Sequence, residues 1–223
     1  MVITNQIDGF FEKINGSFFA LMALLIGFGG SMLAVVLYMM GDPSYSMFNN
    51  FISDLSIGPN GSNIVFFLFM ATMPFVISPF YLYFTRSLQR LGASTIVTWI
   101  AYGTSVLYSL IQFLTAFFPL DPNNQAVFET HLLFGILMST FLGITQIIYS
   151  YLEFTQESVP KYSPILAFIS AVLFLLFAFF LFLGSYTVLF DYNVITYLTE
   201  WSAFSVFMIW LLLKGYYFYR NPS

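Results

Sequence analysis

Six long apolar runs, separated by short polar stretches, dominate the chain. They cover residues 17–40, 64–84, 95–118, 131–152, 165–189 and 198–218. A helix needs about 20 residues to cross the hydrocarbon core of a bilayer, so each run is long enough to span a membrane. The strands of a membrane barrel would alternate apolar and polar residues, which these runs do not. The pattern predicts an all-α polytopic membrane protein, a single domain of residues 1–223 built as a bundle of six transmembrane helices.

The residues before the first run carry a second, shorter pattern. Ile3, Ile7, Phe10 and Ile14 follow one another at steps of four, three and four, which places them on one face of a helix. A short helix with one apolar face lies along the membrane surface rather than across it. We therefore predict an N-terminal interfacial amphipathic helix.

The composition agrees with a membrane protein and excludes several other classes. Hydrophobic residues make up 59% of the 223 residues and charged residues only 7%, whereas a typical soluble domain is about 25% charged. Disordered chains are poor in apolar residues, and nucleic-acid-binding proteins carry a basic patch, so neither class fits. The chain contains no cysteine, which excludes disulfides, thiolate metal sites and cysteine nucleophiles.

All the basic residues fall on one side of the predicted bundle. They are Lys13, Arg86, Arg90, Lys161, Lys214 and Arg220. Cytoplasmic loops are enriched in Lys and Arg, so we predict a cell-membrane protein with both termini in the cytoplasm. The opposite side carries Asp42, Asp54, Asp121, Glu129, Asp191 and Glu200. Lys214 is near the cytoplasmic end of the last run and is expected to extend its ammonium group into the interface.

Small residues and prolines indicate how the helices pack. Gly135, Ser139 and Gly143 recur at steps of four in the fourth run, and this spacing lets helix backbones approach closely. We interpret it as packing within the bundle, with homodimerisation as the alternative. Pro74 and Pro79 predict a kink in the second run, because each removes a backbone donor.

The third run carries a polar stripe. Thr98, Tyr102, Ser105, Ser109 and Gln112 follow at steps of four, three, four and three, so they share one helix face. Polar side chains avoid lipid, and the stripe should therefore face the bundle interior. Two interpretations stay open. The stripe either makes hydrogen bonds between helices, or its Ser105, Ser109 and Gln112 form one wall of a polar cavity.

The candidate functional residues lie on the acidic side. They are Ser53, Asp54, Asp121, His131 and Glu200. His131 is the only histidine, and histidine is the side chain that ordinarily titrates near neutral pH. The set could hold a divalent cation through Asp54, Asp121 and His131, or use His131 as a general base for Ser53. It could also bind a polar head group without chemistry, or cap helices and loops.

Two short motifs within this set resemble a widespread prokaryotic six-helix membrane family of unknown function. One is N-x-I-S-D-L at residues 50–55, and the other is F-P-x-D at 118–121, followed by His131. That family is similar in turn to the FRAG/DRAM/SFK group, whose members are linked to lipid remodelling and membrane lipid organisation. The resemblance implies a six-helix protein with an outward-facing polar site for lipid. The S-I-G at 56–58 departs from the family pattern, and no catalytic mechanism is carried over.

The sequence thus predicts an integral membrane protein that binds, or modifies, a lipid or small amphiphile at an outward-facing site. The alternatives are a small-solute carrier or channel, and a structural subunit of a larger membrane complex. No P-loop, dinucleotide fingerprint, serine elbow or HExxH motif occurs, which leaves enzymatic activity undecided. A divalent cation is the one cofactor suggested. Membrane lipid is the expected partner, with a membrane protein or a second copy as further candidates and nucleic acid excluded.

Overall fold

The computed structural model describes residues 2–186 and 194–221, and these residues form helices and loops without any strand. The α-helices are α1 (Val2–Phe11), α2 (Gly16–Leu24), α3 (Gly30–Gly41), α4 (Ser62–Thr72), α5 (Pro74–Arg90), α6 (Thr95–Thr115), α7 (Gln125–Phe154), α8 (Tyr162–Tyr186) and α9 (Val194–Arg220). A π-helical segment, Leu25–Gly29, joins α2 to α3, and a 3-10 helix, Ser53–Ile57, follows α3. The predicted all-α class is confirmed.

Among the described residues, six helical stretches are long and apolar enough to cross a membrane, as the sequence predicts. They are Gly16–Gly41, Ser62–Arg90, Thr95–Thr115, Gln125–Phe154, Tyr162–Gly184 and Val194–Arg220. The fourth stretch begins before its apolar run because Asn124 caps it, its Oδ1 accepting from the Val127 amide at 3.4 Å. Such a cap satisfies a free amide and lets polar residues join the first turn. Residues 187–189 of the predicted fifth run lie outside the described residues.

Small residues let neighbouring helices touch inside the bundle. A Cβ on Gly143 would lie 2.8 Å from Leu175 Cγ and 3.2 Å from the carbonyl oxygen of Ala171, so the Leu175 side chain and the α8 backbone pack directly against the α7 backbone there. A Cβ on Gly27, in the π-helical segment, would lie 2.9 Å from Met73 Sδ. These contacts agree with packing within one chain, as interpreted from the spacing.

The second span is interrupted at its first proline. The α-helix α4 ends at Thr72, and Pro74 is the first residue of α5. Proline suits this position because the first helical amide has no partner inside the helix. Pro79 lies inside α5 without ending it. The break therefore comes from one of the two predicted prolines.

The predicted N-terminal helix is present as α1, and ion pairs attach it to α5. Asp8 accepts from Arg86 Nε at 3.0 Å and Nη2 at 2.7 Å, and from Arg90 Nη2 at 3.1 Å. These hydrogen bonds hold the pKa of Asp8 below its ordinary value. Phe11 is buried against the bundle and Ile7 is partly buried against it, whereas Phe10 is 47% exposed. The helix α1 therefore docks on the bundle through Ile7 and Phe11.

Charged side chains divide the bundle into two ends. One end is called the basic end, because it holds all the basic residues: Lys13, Arg86, Arg90, Lys161, Lys214 and Arg220. The acidic end is the opposite one, with the loops at 42–61 and 116–124 and with Asp42, Asp54, Asp121, Glu129 and Glu200. Asp191, the sixth acid expected there, lies outside the described residues.

Lys214 is buried, and the prediction that it extends into the interface is wrong. Its side chain is 2% exposed, and its Nζ forms an ion pair with Glu153 Oε1, which also accepts from Ser163 Oγ at 2.9 Å. The ammonium group lies 4.7 Å from the centroid of the Phe84 ring. A carboxylate and an aromatic face together compensate for the lost solvation of the charge. The ion pair joins α9 to α7, and the hydrogen bond from Ser163 connects α8 to the same carboxylate.

Candidate functional site

A cavity lies in the half of the bundle nearest the acidic end. It holds about 100 Å³ of empty space between α4, α6, α7, α8, α9 and the loop residues 51–53, and Phe, Met and Leu side chains form most of its wall. Besides Tyr108, the polar residues that line it are Ser53, Gln112, Thr115, His131, Ser139 and Glu200. The structure thus brings together Ser53, His131 and Glu200, three of the five candidate residues.

The loop before the 3-10 helix forms the roof of the cavity, and α9 holds it in place. Glu200 Oε2 accepts from the Ile52 amide at 2.6 Å. One residue further along α9, Trp201 Nε1 donates to the Asn50 carbonyl at 3.1 Å. The bond to Glu200 is the shorter of the two, so Glu200 is the main anchor of the roof.

Asp54 lies in the 3-10 helix directly after this loop and accepts hydrogen bonds from it. Its Oδ2 accepts from the Phe51 amide at 2.8 Å and from Asn50 Nδ2 at 3.3 Å. Burial raises the pKa of Asp54, and these two hydrogen bonds oppose the rise. Asp54 does not line the cavity. Asp54 therefore stabilises the shape of the roof. This agrees with the interpretation that the residue caps a loop, and not with a role as a ligand.

The raised pKa of Asp54 predicts a stability that falls as the pH rises. Folding favours the protonated carboxyl group, so its contribution is complete below the ordinary pKa of 3.8 and is lost as the pH passes the higher folded pKa. We expect Asp54→Asn to remove this part of the pH dependence when the free energy of unfolding is measured from pH 3.5 to 7. Asp42→Asn is the control, because hydrogen bonds from Ser44 lower the pKa of Asp42 and its contribution has the opposite sign. An unchanged pH profile in Asp54→Asn would contradict the assignment.

His131 faces the cavity and is held by one ring nitrogen. Its Nδ1 is hydrogen-bonded to the carbonyl oxygen of Phe118, and the residue is almost completely buried. A carbonyl can only accept, so Nδ1 carries the hydrogen and the Nε2 of a neutral ring is an acceptor. The carbonyl cannot act as the orienting carboxylate that a catalytic base would use. The bond instead joins the start of α7 to the segment that follows α6.

Two polar side chains in the cavity wall lack hydrogen-bond partners. They are Gln112, whose Oε1 is unpaired, and Ser139, whose Oγ is unpaired, and both residues are buried. Gln112 Nε2 lies 3.8 Å from Met70 Sδ. Sulfur can accept a weak hydrogen bond but cannot donate one, so the amide nitrogen of Gln112 is oriented towards the sulfur. The amide oxygen is then left without a partner. Buried polar groups in proteins are nearly always paired, so these two indicate a missing partner.

The polar stripe of α6 faces the interior, but only one end of it reaches the cavity. Ser105 Oγ donates to the Tyr102 carbonyl at 2.7 Å, and Ser109 Oγ donates to the Ser105 carbonyl at 2.8 Å. Neither serine lines the cavity, so the structure does not give them the predicted place in its wall. Gln112 does line it. The hydroxyl groups of Ser105 and Ser109 are satisfied by carbonyl groups of their own helix. These two side chains can therefore pack against apolar neighbours.

Asp121 lies apart from the other candidates. Its Oδ1 accepts from the Asn123 amide at 2.9 Å and from Asn123 Nδ2 at 3.2 Å, which is a local turn. Within residues 2–186 and 194–221, no three His, Asp or Glu side chains are close enough to hold a metal ion. The structure therefore does not gather Asp54, Asp121 and His131 into the divalent-cation site considered from the sequence.

Thr115 and Ser139 are polar cavity residues that the sequence interpretation missed, and Ser139 is the one whose hydroxyl group is unpaired. The spacing of Gly135, Ser139 and Gly143 predicts close helix packing and assigns no function to the Ser139 hydroxyl group. The feature that could have indicated one is the depth of Ser139 in the membrane span. Ser139 is the middle residue of a 30-residue span, far from either interface, where an unpaired hydroxyl is costly.

Large aromatic side chains fill the interior between the cavity and the basic end. Phe207 lines the cavity, and its ring centroid lies 5.8 Å from that of Trp210. Trp210 stacks in turn with Tyr81 at 6.3 Å, and Tyr81 with Tyr149 at 5.3 Å. These four residues are almost completely buried. The cavity therefore has an aromatic floor.

Comparison with known proteins supplies a family but no activity. A family model described as "Protein of unknown function (DUF998)" matches residues 25–216, from the first span into the last. No curated protein matches the chain, and no solved structure matches it. The function must therefore be inferred from the site itself.

Proposed function

The chain belongs to the DUF998 family, whose description assigns no function, and we propose that this protein binds a lipid or small amphiphile in the cavity of its acidic half. One observation carries the proposal. The cavity wall is mostly apolar, with Gln112, Ser139, His131 and Glu200 as isolated polar groups. Small-molecule sites typically combine an apolar lining with a few placed polar groups. An amphiphile has the matching distribution of apolar and polar surface.

The charge distribution supports an orientation for this site. The basic end carries every Lys and Arg of the chain, and the positive-inside rule assigns such an end to the cytoplasm. We infer that both termini are cytoplasmic in the cell membrane and that the cavity lies in the outward-facing half. A relation to the FRAG/DRAM/SFK group, with its links to membrane lipids, belongs to the same proposal.

The aromatic floor favours a binding site over a carrier or channel. A permeation path would have to continue from Gln112 towards the basic end. Instead, Phe207, Trp210 and Tyr81 pack ring against ring there. Interiors packed in this way have few voids larger than a water molecule. A ligand that enters the cavity would therefore stay in the acidic half.

Filling the cavity tests the proposal. In Ser139→Phe a ring would occupy the space in which Ser139 Oγ has no partner, and we expect the purified variant to retain at least tenfold less amphiphile than the wild type. The measurement is native mass spectrometry after extensive detergent washing, with lipid extraction to quantify the bound material. Leu133→Phe is the control, because Leu133 is on the same helix and 43% exposed. Equal retention by the two variants would contradict the proposal.

A further inference from the structure

The cavity offers hydrogen-bond acceptors and no positive charge. Gln112 Oε1 is an unpaired acceptor, the Nε2 of a neutral His131 is another, and Glu200 adds the oxygens of a carboxyl group. No Lys or Arg is among the described residues that line the cavity. An anionic head group, such as a phosphate, sulfate or carboxylate, would face these acceptors without a cation. Burial of an unpaired charge is strongly unfavourable, so an anionic ligand does not fit.

The unpaired groups of Gln112 and Ser139 lie at about the same depth. Thr104 of α6 and Thr145 of α7 are joined by a hydrogen bond of 2.9 Å, which fixes the register of the two antiparallel helices. From that bond towards the acidic end, Gln112 is about 12 Å along α6 and Ser139 is about 9 Å along α7. A single small group on a ligand could therefore meet both side chains.

We infer that the ligand is an uncharged amphiphile with a hydroxyl group, and that this hydroxyl binds Gln112 and Ser139. A hydroxyl group donates one hydrogen bond and accepts others. It can donate to Gln112 Oε1 and accept from Ser139 Oγ, which satisfies both unpaired atoms at once. The inference rests on the proposed function, because it names the chemical class of the ligand for the same cavity. The apolar part of the ligand then lies against the Phe and Met side chains of the wall.

The size of the cavity limits the ligand further. About 100 Å³ of empty space holds a hydroxyl group and a few carbons of a chain, not the whole of a two-chain lipid. A single-chain alcohol or a comparable hydroxylated amphiphile is therefore the class that we assign. Medium-chain probes are suited to the test, since their polar group and first carbons fit this volume.

The experiment compares three probes that share one octyl chain and differ only in the polar group. They are 1-octanol, octyl methyl ether, which lacks the donor, and octyl sulfate, which is anionic. Equilibrium binding of each labelled probe to delipidated full-length protein is measured in one nonionic detergent. We expect 1-octanol to bind about tenfold more tightly than the ether, as one or two buried hydrogen bonds allow, and the sulfate to bind weaker than both.

Two variants then assign the hydroxyl contact. Gln112→Met is expected to reduce the preference for 1-octanol over the ether to about twofold or less, because it removes the acceptor of the ligand hydroxyl. Ser139→Ala removes a donor from which both probes accept, so it should weaken both by a similar factor and keep the preference. An unchanged affinity of Gln112→Met for the ether shows that the cavity is still folded. Ser170→Ala is the matched control, because Ser170 Oγ is also buried and unpaired but does not line the cavity. It should keep the full preference.

The outcomes separate this inference from the proposed function. If the ether or the sulfate binds as tightly as 1-octanol, the hydroxyl assignment is overturned while an amphiphile site remains. If the preference survives in Gln112→Met, or if Ser139→Ala leaves the affinity for both probes unchanged, the assignment to Gln112 and Ser139 is overturned. If no probe binds above the detergent background, the proposed function fails and this inference fails with it.

Discussion

Glu153→Gln is expected to lower the free energy of unfolding by about 3–5 kcal/mol, the cost of leaving a buried charge without its partner. Glu153 is fully buried, and its carboxylate pairs with Lys214 Nζ. Glutamine keeps the shape of the side chain and the hydrogen bond from Ser163, but it removes the charge. The ammonium group of Lys214 would then rely on the Phe84 ring, which lies 4.7 Å away. The measurement is an SDS titration in mixed micelles, followed by far-UV circular dichroism.

A double variant separates pairing from simple loss of contacts. Glu153→Met with Lys214→Met replaces both charges by apolar side chains of similar length, and we expect it to recover most of the lost stability. Arg220→Met is the control, because Arg220 is exposed at the same end of α9. A double variant as unstable as Glu153→Gln would show that the cost comes from repacking rather than from an unpaired charge.

Glu200→Ala is expected to release the roof of the cavity. The change removes the acceptor of the Ile52 amide, 2.6 Å away. A buried amide that loses its acceptor costs about 1–3 kcal/mol, so protection of the loop amides against hydrogen exchange should fall by about tenfold to a hundredfold. Hydrogen-exchange mass spectrometry of peptides that cover residues 50–57 gives the result directly. Amphiphile retention should fall in the same variant, since the roof closes the site.

The matched control for this variant is Glu129→Ala. Glu129 is also a glutamate near the acidic end, but it is exposed and accepts only from Gln125 Nε2 among its side-chain bonds in the described structure. Its removal should leave the exchange of residues 50–57 unchanged. If both variants release the loop equally, or neither does, Glu200 is not the anchor of the roof.

Part of the site could be predicted from the sequence because it depends on spacing within one helix. The steps between Ser105, Ser109 and Gln112 place these residues on one face, and that face is buried. Which of them reaches the cavity could not be predicted. The two serines bond to carbonyl groups of their own helix, while the longer side chain of Gln112 extends to Met70 of α4.

The candidate carboxylates show that the role of a loop residue cannot be predicted from its residue type alone. Asp54 and Asp121 both follow a span, and the sequence offers both as ligands of a cation. In the structure, Asp121 closes a local turn with Asn123, and Asp54 bonds within the roof. Short acidic side chains in loops bind nearby amides because these amides lie within two or three residues of them. Glu200 instead reaches a loop that is 148 residues away in the chain.

The sequence by itself determined that six helices cross a membrane and that the basic residues share one end. Backbone groups inside a bilayer must be paired within their own segment, so apolar runs of sufficient length specify helices without reference to their neighbours. Tertiary structure alone decided that Ser139 joins Gln112 at one cavity and that Glu153 meets Lys214. Such meetings depend on the rotation and relative height of separate helices, which close packing between many side chains sets and which no single segment encodes.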